Sequence, residues 1–336
     1  MKIVNPSVEI IHPPVRPDER ALAPTEIVIR HIERCGRVCY KSESLIANDT
    51  AADFVSRIIK RGHEAVLEHA SFCFILTSPA HILVEDTIEL LRMSGRNVFL
   101  RLTSNGSRKI VSGNVRAWRD YFLMLQAENI CCPSCFAQFI LDNPVIFPEF
   151  AGLTLHSTYF TAQPPHKDGV ALVVCPNSLP VKDQTVHLDK TLLFVCDRGV
   201  SHEIVRHRVA SFCQESTRYC NYSKGRFGGE ISVIKPLYLD EGTPGYRIWE
   251  HGCESAETAY FDLLDCGCSP QEARAVLPNS LKTEVIMTAN IQEWQHFIDL
   301  RTSPAAHPQM REVATQARDA LLKELPLHFR SPDGDA

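Results

Sequence analysis

Between residues 51 and 61 the apolar positions Phe54, Val55, Ile58 and Ile59 fall on one side of a 3.6-residue period, which predicts a helix stopped by Gly62. Ile27, Ile29, Ile32 and Val38 give a more ragged helical stripe over 25–39. Shorter β-type runs predict strands at 70–76, 191–196 and 231–234, and a strand with a Pro-punctuated turn within 1–13. The run at 191–196 leads through Asp197-Arg198-Gly199 into a helical pattern ending near Arg208. Beyond Ile234 the chain reads as mostly helical, over 244–265, 270–276, 291–300 and 306–325, with a short strand at Glu284 to Met287.

Residues 78–190 depart from this rhythm. Stretches such as Cys131-Cys132-Pro133-Ser134 and Gln163-Pro164-Pro165-His166 make them rich in Pro, Cys and turn residues. They read as an insertion with some structure of its own, not as a linker. One internal resemblance reaches out of this segment. Gly113-Asn114-Val115-Arg116-Ala117-Trp118-Arg119-Asp120-Tyr121-Phe122 parallels Ala289-Asn290-Ile291-Gln292-Glu293-Trp294-Gln295-His296-Phe297-Ile298. Each copy follows a β-type run, puts Asn at a helix N-cap and sets Trp three residues before an aromatic. The two copies are either capped strand–helix junctions facing a ligand or ordinary starts of buried amphipathic helices. The ordinary start is the commoner arrangement, and two copies do not make a solenoid.

Composition narrows the field. At roughly 150 residues per domain, 336 residues suggest two domains or one enlarged one. A hydrophobic content of 44% with 22% charged residues is globular and excludes overall disorder. The net charge of −5 argues against a basic, nonspecific nucleic-acid binder and leaves room for a local anion site. No secretory signal is visible, because Asn5, Pro6 and Glu9 interrupt any apolar stretch near Met1. The longest apolar runs, such as Val170 to Cys175, reach about six residues where a spanning helix needs roughly twenty. A soluble, cytoplasmic protein without membrane or nucleic-acid partners is expected. The 13 cysteines then read as thiols in a reducing compartment, since Cys132-Pro133-Ser134-Cys135 is a lone CxxC without a second pair.

Several catalytic signatures fail on spacing. There is no GxGxxG after a strand and no GxxxxGK[ST]. In His202-Glu203-Ile204-Val205-Arg206-His207 the position a zincin needs for its second His is Arg206, and His63 to His69 misses the inverse motif. The zinc-deaminase pattern is also missing, so no metal site is expected.

Ligand-type residues concentrate between Ser201 and Arg226. The spacing predicts that Glu203, Arg206 and His207 share one helical face, with Ile204, Val205 and Val209 anchoring the segment in a core. Ser211, Gln214, Glu215, Ser216, Arg218 and Tyr219 follow, with few apolar interruptions. Arginines converging with a His and serines suit an anionic, planar ligand such as a nucleotide phosphate. The competing reading is a solvated charged helix face.

Arg206-His207-Arg208, seven residues, then Ser216 resembles the RHR-x7-S signature of the flavin-dependent thymidylate synthase (ThyX) family. Glu215 to Tyr222, Arg61-Gly62-His63-Glu64 with Leu67-Glu68-His69, Ala273 to Asn279, and Thr288 to Arg301 are similar to further family motifs, in the family's order. The resemblance covers 1–77 and 191–326. It implies an α+β fold, a mixed or antiparallel sheet wrapped by helices, in which 1–77 and 191–330 form the catalytic domain. Residues 78–190 are then an inserted subdomain of unknown role.

The implied activity is conversion of dUMP to dTMP with methylenetetrahydrofolate as carbon donor, NADPH as reductant and FAD carrying the hydride. Carried over by position, His63, Arg206, His207, Arg208, Gln214, Asn290 and His296 would contact FAD. Glu203, Gln214, Ser216, Thr217, Arg218, Arg274 and Arg301 would hold dUMP, with Arg274 on the phosphate and Arg301 as the catalytic cation at the uracil. Ser216 is read as a binding residue and not a nucleophile, because no base is assigned to it. His69, Trp294 and Phe297 also read as packing residues, and Tyr222 and Phe227 fit packing and ligand contact equally. The resemblance further implies a homotetramer with shared active sites. Two alternatives stay open: a flavin-dependent relative with an altered pyrimidine nucleotide, or a flavin- or nucleotide-binding module without turnover.

Overall fold

The computed structural model describes residues 1–13, 24–77, 80–105, 108–160, 171–173, 175–218, 220–224 and 229–329. In chain order the elements are β1 (Lys2–Val4), β2 (Ser7–Ile10), α1 (Pro24–Tyr40), α2 (Ala51–Lys60), β3 (Ser71–Leu76), α3 (Ala80–Met93), β4 (Arg101–Asn105), β5 (Arg108–Asn114), α4 (Val115–Ala127), α5 (Ala137–Leu141) and β6 (Ala171–Val173). Then come α6 (Val181–His187), β7 (Asp189–Asp197), α7 (Arg198–Ile204), β8 (Ser211–Gln214), β9 (Ser232–Ile234), α8 (Pro244–Asp265), α9 (Pro270–Ala273), β10 (Lys282–Asn290), α10 (Ile291–Arg301) and α11 (Pro308–Glu324). The α+β class expected from the sequence holds. Gly62 ends α2 with φ +68°, a left-handed conformation that a Cβ would strain. No helix among the described residues is long and apolar enough to cross a membrane.

The chain divides into two compact units. The first is Met1–His12, Arg34–Leu45 and Lys190–Ala336, and the second is Pro13–Glu33 and Ile46–Asp189. In the first, a four-stranded sheet runs β2-β7-β10-β8, with β2 antiparallel to β7 and β8 antiparallel to β10. A separate parallel pair joins β1 to β9. Against that pair pack Tyr222, Cys253, Tyr260 and Leu281, which belong to one buried cluster. Trp294 and Phe297, read from the sequence as packing residues, are both 0% exposed.

In the second unit the sheet runs β4-β5-β3-β6 and all its pairings are antiparallel. Strand β3 was expected in the part before residue 78, yet it lies between β5 and β6, both drawn from 78–190. Compactness therefore groups the inserted segment with 46–77. Beneath this sheet Phe74, Trp118, Phe122 and Phe136 form an edge-to-face aromatic core. His187 is fully buried between two hydroxyls, Ser112 Oγ at 2.7 Å from Nδ1 and Thr103 Oγ1 at 2.8 Å from Nε2. Gln163-Pro164-Pro165-His166, Tyr219 and Phe227 lie outside the described residues.

Candidate active site

Asp197 starts the site by capping α7: its Oδ1 accepts from the Val200 N–H at 2.8 Å, and its Oδ2 accepts from Gln309 Nε2 at 2.8 Å. The helix is shorter than the sequence pattern suggested. It ends at Ile204, after which Arg206 N–H bonds Glu203 O and His207 N–H bonds Ile204 O, each three residues back. This tight turn takes Arg206 and His207 off the helix, so the single helical face expected for Glu203, Arg206 and His207 is not formed. Of the three apolar anchors only Ile204 is buried, whereas Val205 and Val209 are 37% and 67% exposed. The same turn buries His207 and leaves Arg206 and Arg208 exposed on either side of it.

Arg301, the last residue of α10, reaches this turn. Its Nε–H donates to His207 Nε2 at 3.0 Å, one terminal nitrogen to Glu203 Oε2 at 2.8 Å, and the other to the Glu203 carbonyl at 3.0 Å. Because Nε2 accepts, the His207 proton sits on Nδ1. The ring packs on Phe297 with centroids 4.8 Å apart and on His296 at 5.8 Å. Burial, reinforced by the Arg301 cation and His296, pushes His207 down to about 4, so the imidazole is neutral at physiological pH. A guanidinium has five N–H groups, and three are committed here. The other two have no acceptor among the described residues.

Gln214, at the end of β8, donates from Nε2 to Ser201 Oγ at 3.0 Å and to Thr283 Oγ1 at 3.3 Å. Ser201 Oγ in turn donates to Arg198 O at 2.8 Å. Ser216 is half-buried, and its N–H bonds the Cys39 carbonyl at 3.2 Å. Thr217 is buried, and its hydroxyl accepts from an Arg274 terminal nitrogen at 3.2 Å while Arg274 itself stays exposed. Arg218 is exposed next to them. Segment 214–218 with Arg274 thus carries the cations and hydroxyls that the family resemblance implies for a phosphate.

A charge network that sequence reading missed holds this segment from behind. Glu215 is 3% exposed, with Lys282 Nζ at 3.1 Å and Lys41 Nζ at 3.8 Å. Both lysines also meet Glu284. Burial works against the charge on Glu284, but Lys282 and Lys41 hold it below the usual carboxylate range. Lys41 follows the last residue of α1 with φ 49°, an unfavourable conformation for a side chain with a Cβ. A signal was present in the sequence: Lys282 and Glu284 are two apart on a strand and therefore share a face.

The remaining expected contacts are placed as follows. Asn290 caps α10, its Oδ1 accepting from Glu293 N–H at 2.9 Å. His296 is exposed one turn before Arg301. His63 is exposed at the start of a short 3-10 helix, Glu64–His69, and belongs to the second compact unit. His69 is 1% exposed. Tyr222 is buried and meets Tyr260 edge to face. No group of three or more metal-ligating side chains is found among the described residues, and none of the 13 cysteines is in a disulfide.

A neutral buried imidazole, a fixed arginine and an exposed cationic turn on an α+β frame define the class: an enzyme-type site for an anionic, hydrogen-bonding ligand. The chain belongs to the family described as Thymidylate synthase complementing protein, whose pattern matches residues 25–87 and 185–327. It is similar to a flavin-dependent thymidylate synthase of Corynebacterium glutamicum, 29% identical over 200 residues that cover 54% of this chain and 76% of the relative. A flavin-dependent thymidylate synthase of Geobacter sulfurreducens is 32% identical over 133 residues, 40% of this chain and 56% of the relative. One of Pyrococcus furiosus is 30% identical over 128 residues, 38% and 52%. The chain thus spans little more than half the length of these last two. Among solved structures, a UMP/dUMP methylase from Streptomyces cacaoi bound with 5-Br dUMP is 28% identical, covering 42% of this chain and 68% of that one, with a TM-score of 0.35.

Proposed function

We propose that the chain is a flavin-dependent thymidylate synthase, methylating dUMP to dTMP with methylenetetrahydrofolate as carbon donor and NADPH as reductant. The observation that carries this reading is the Arg301–His207–Glu203 constellation, set on the RHR-x7-S segment of a chain that belongs to the family. The donor set fits the ligands. Exposed guanidiniums at Arg206, Arg208, Arg218 and Arg274 match phosphate and pyrophosphate oxygens, and the hydroxyls of Ser216 and Thr217 add neutral donors. When bound, FAD supplies the hydride carrier that a protein side chain cannot be.

The chain's own residues bind, orient and polarise. Arg274 clamps the dUMP phosphate beside Thr217 and Arg218, while Gln214 and Ser216 hold the nucleotide. Arg301 directs its two uncommitted N–H groups at the uracil ring and stabilises the charge that grows as N3 ionises and C5 becomes nucleophilic. Glu203 and the neutral His207 keep that guanidinium in one orientation before substrate arrives. His63, Arg206, His207, Arg208, Gln214, Asn290 and His296 are the FAD contacts. The family resemblance supports a cytoplasmic homotetramer with shared sites, and a catalytic domain of 1–77 and 191–330 with 78–190 added to it.

The test is direct. Purified protein should be yellow, release FAD on denaturation, and form dTMP from dUMP only with methylenetetrahydrofolate and NADPH. A colourless preparation that FAD cannot reconstitute would sink the proposal, and product from dCMP but not dUMP would replace dUMP as the substrate.

A further inference from the structure

The two compact units carry the same frame. The sheet order β8-β10-β7-β2 in one corresponds to β4-β5-β3-β6 in the other. In each, the second strand of that order runs directly into a helix, β10 into α10 and β5 into α4. The third strand also leads to a helix, β7 to α7 and β3 to α3. The element sequence strand, helix, strand, strand, helix is shared as well, with β9, α8 and α9 interposed between β8 and β10. Only the fourth strand comes from opposite ends, β2 preceding its frame and β6 following it.

The junctions agree atom by atom. Asn290 Oδ1 accepts from the N–H three residues on at 2.9 Å, and Asn114 Oδ1 does so at 2.8 Å. Trp294 Nε1 donates to the Lys190 carbonyl at 3.0 Å, and Trp118 Nε1 to the Phe72 carbonyl at 3.2 Å. Each acceptor is the second residue of its strand. The buried faces coincide too: Ile291 with Val115, Trp294 with Trp118, Phe297 with Tyr121 and Ile298 with Phe122. An Asn cap followed by Trp arises often by itself. The same sheet order, cap and tryptophan anchor together do not. The family match also breaks off within α3 and resumes at residue 185, shortly before β7, where the frame begins again.

Register then aligns the chemistry. Thr288 pairs with Ser211, and Ser112, equally placed before its Asn, pairs with Arg101. Extended along the chain, this sets Arg206-His207-Arg208 against Arg96-Asn97-Val98, Ser216 against Gly106, and Arg218 against Arg108. Counting from the two capping asparagines sets Arg301 against Leu125, which is 0% exposed. The surviving Arg96 is bound to Glu128 at 2.9 and 2.6 Å.

We infer that residues 71–127 are an internal copy of the catalytic frame emptied of its chemistry, so that each chain holds one nucleotide–flavin site and not two. The copy keeps the capping asparagine and the anchoring tryptophan, which build the frame. It has lost the imidazole, the second arginine of the turn and the catalytic cation. This rests on the proposed function, since it concerns that site's count.

Titration of the purified chain, first freed of the FAD it carries, with FAD and then with dUMP in the calorimeter decides it. One flavin and one dUMP per chain are expected, with Arg96→Ala and Arg108→Ala leaving both counts and both affinities within twofold. Two of either ligand per chain, or a tenfold loss of affinity in Arg96→Ala or Arg108→Ala, overturns the inference while leaving the proposed function standing. Uptake of neither ligand refutes both.

Discussion

Replacing Arg301 separates catalysis from folding. The side chain is 16% exposed and Glu203 34%, so their ion pair is partly solvated and worth only about 1 kcal/mol. That shifts the melting temperature by a few degrees in a chain of this size. Arg301→Ala should therefore stay folded and keep its flavin. Its turnover at saturating dUMP should fall about a hundredfold, because removing a preorganised charged donor costs on the order of 3 kcal/mol in the transition state. Arg301→Lys should be nearly as damaging. An ammonium can meet Glu203 Oε2, but it cannot at once serve His207 Nε2 and the Glu203 carbonyl as the guanidinium does. A second readout is independent of turnover. After burial, Arg301 is the largest cause of the low His207 value of about 4, so in Arg301→Ala the ring should titrate clearly higher by NMR. Full turnover in Arg301→Ala would refute the reasoning and move the search for the cation to Arg206, Arg208 and Arg218. A His207 titration left where it was would show that burial alone sets it.

Three further outcomes are expected. His207 and His187 both sit at about 4, below the ordinary 6.5, so the unfolded chain binds their protons first and stability falls as pH drops below 6.5; by pH 5 each accounts for about 2 kcal/mol in urea unfolding, and His187→Gln should flatten its share of that slope. Lys282→Met leaves the buried Glu215 carboxylate to Lys41 alone and should cost about 2 kcal/mol, most of it recovered in Lys282→Met with Glu215→Leu; equal losses in single and double variants would contradict the network. Arg274→Ala should raise the dUMP requirement at least tenfold with turnover at saturation little changed, and an unchanged KM would remove Arg274 from the phosphate.

Helices α2, α8, α10 and α11, each with one buried face, were legible, whereas α3 and β8 have one as well and were not read. The α8 range coincides with the sequence pattern and those of α10 and α11 differ from it by a residue or two, because a periodic stripe marks their extent. The helix after Asp197 was overextended, since Arg206, His207 and Arg208 are compatible with a helix by propensity. What ends it is a tertiary contact: Arg301 draws on both the Glu203 carbonyl and His207. Most of the candidate site could be named from RHR-x7-S and Arg274, yet its internal wiring could not. Nothing in the sequence says that Arg301 meets Glu203, 98 residues away. The partners of Glu215 were only half visible: Lys282 and Glu284 share a strand face, whereas Lys41, just after α1, reaches them only in the fold.

The hydroxyl of Ser201 has one hydrogen, and it is spent on the Arg198 carbonyl. Toward Gln214 the oxygen can therefore only accept, which decides the side-chain amide's orientation: nitrogen inward, to Ser201 and Thr283, and oxygen outward. Gln214 consequently presents its acceptor oxygen on the outward side. It behaves as an uncharged stand-in for a carboxylate, able to welcome a ligand N–H or O–H without repelling nearby phosphate oxygens. Polarity of that kind is chosen two residues deep, by a backbone carbonyl at the start of α7.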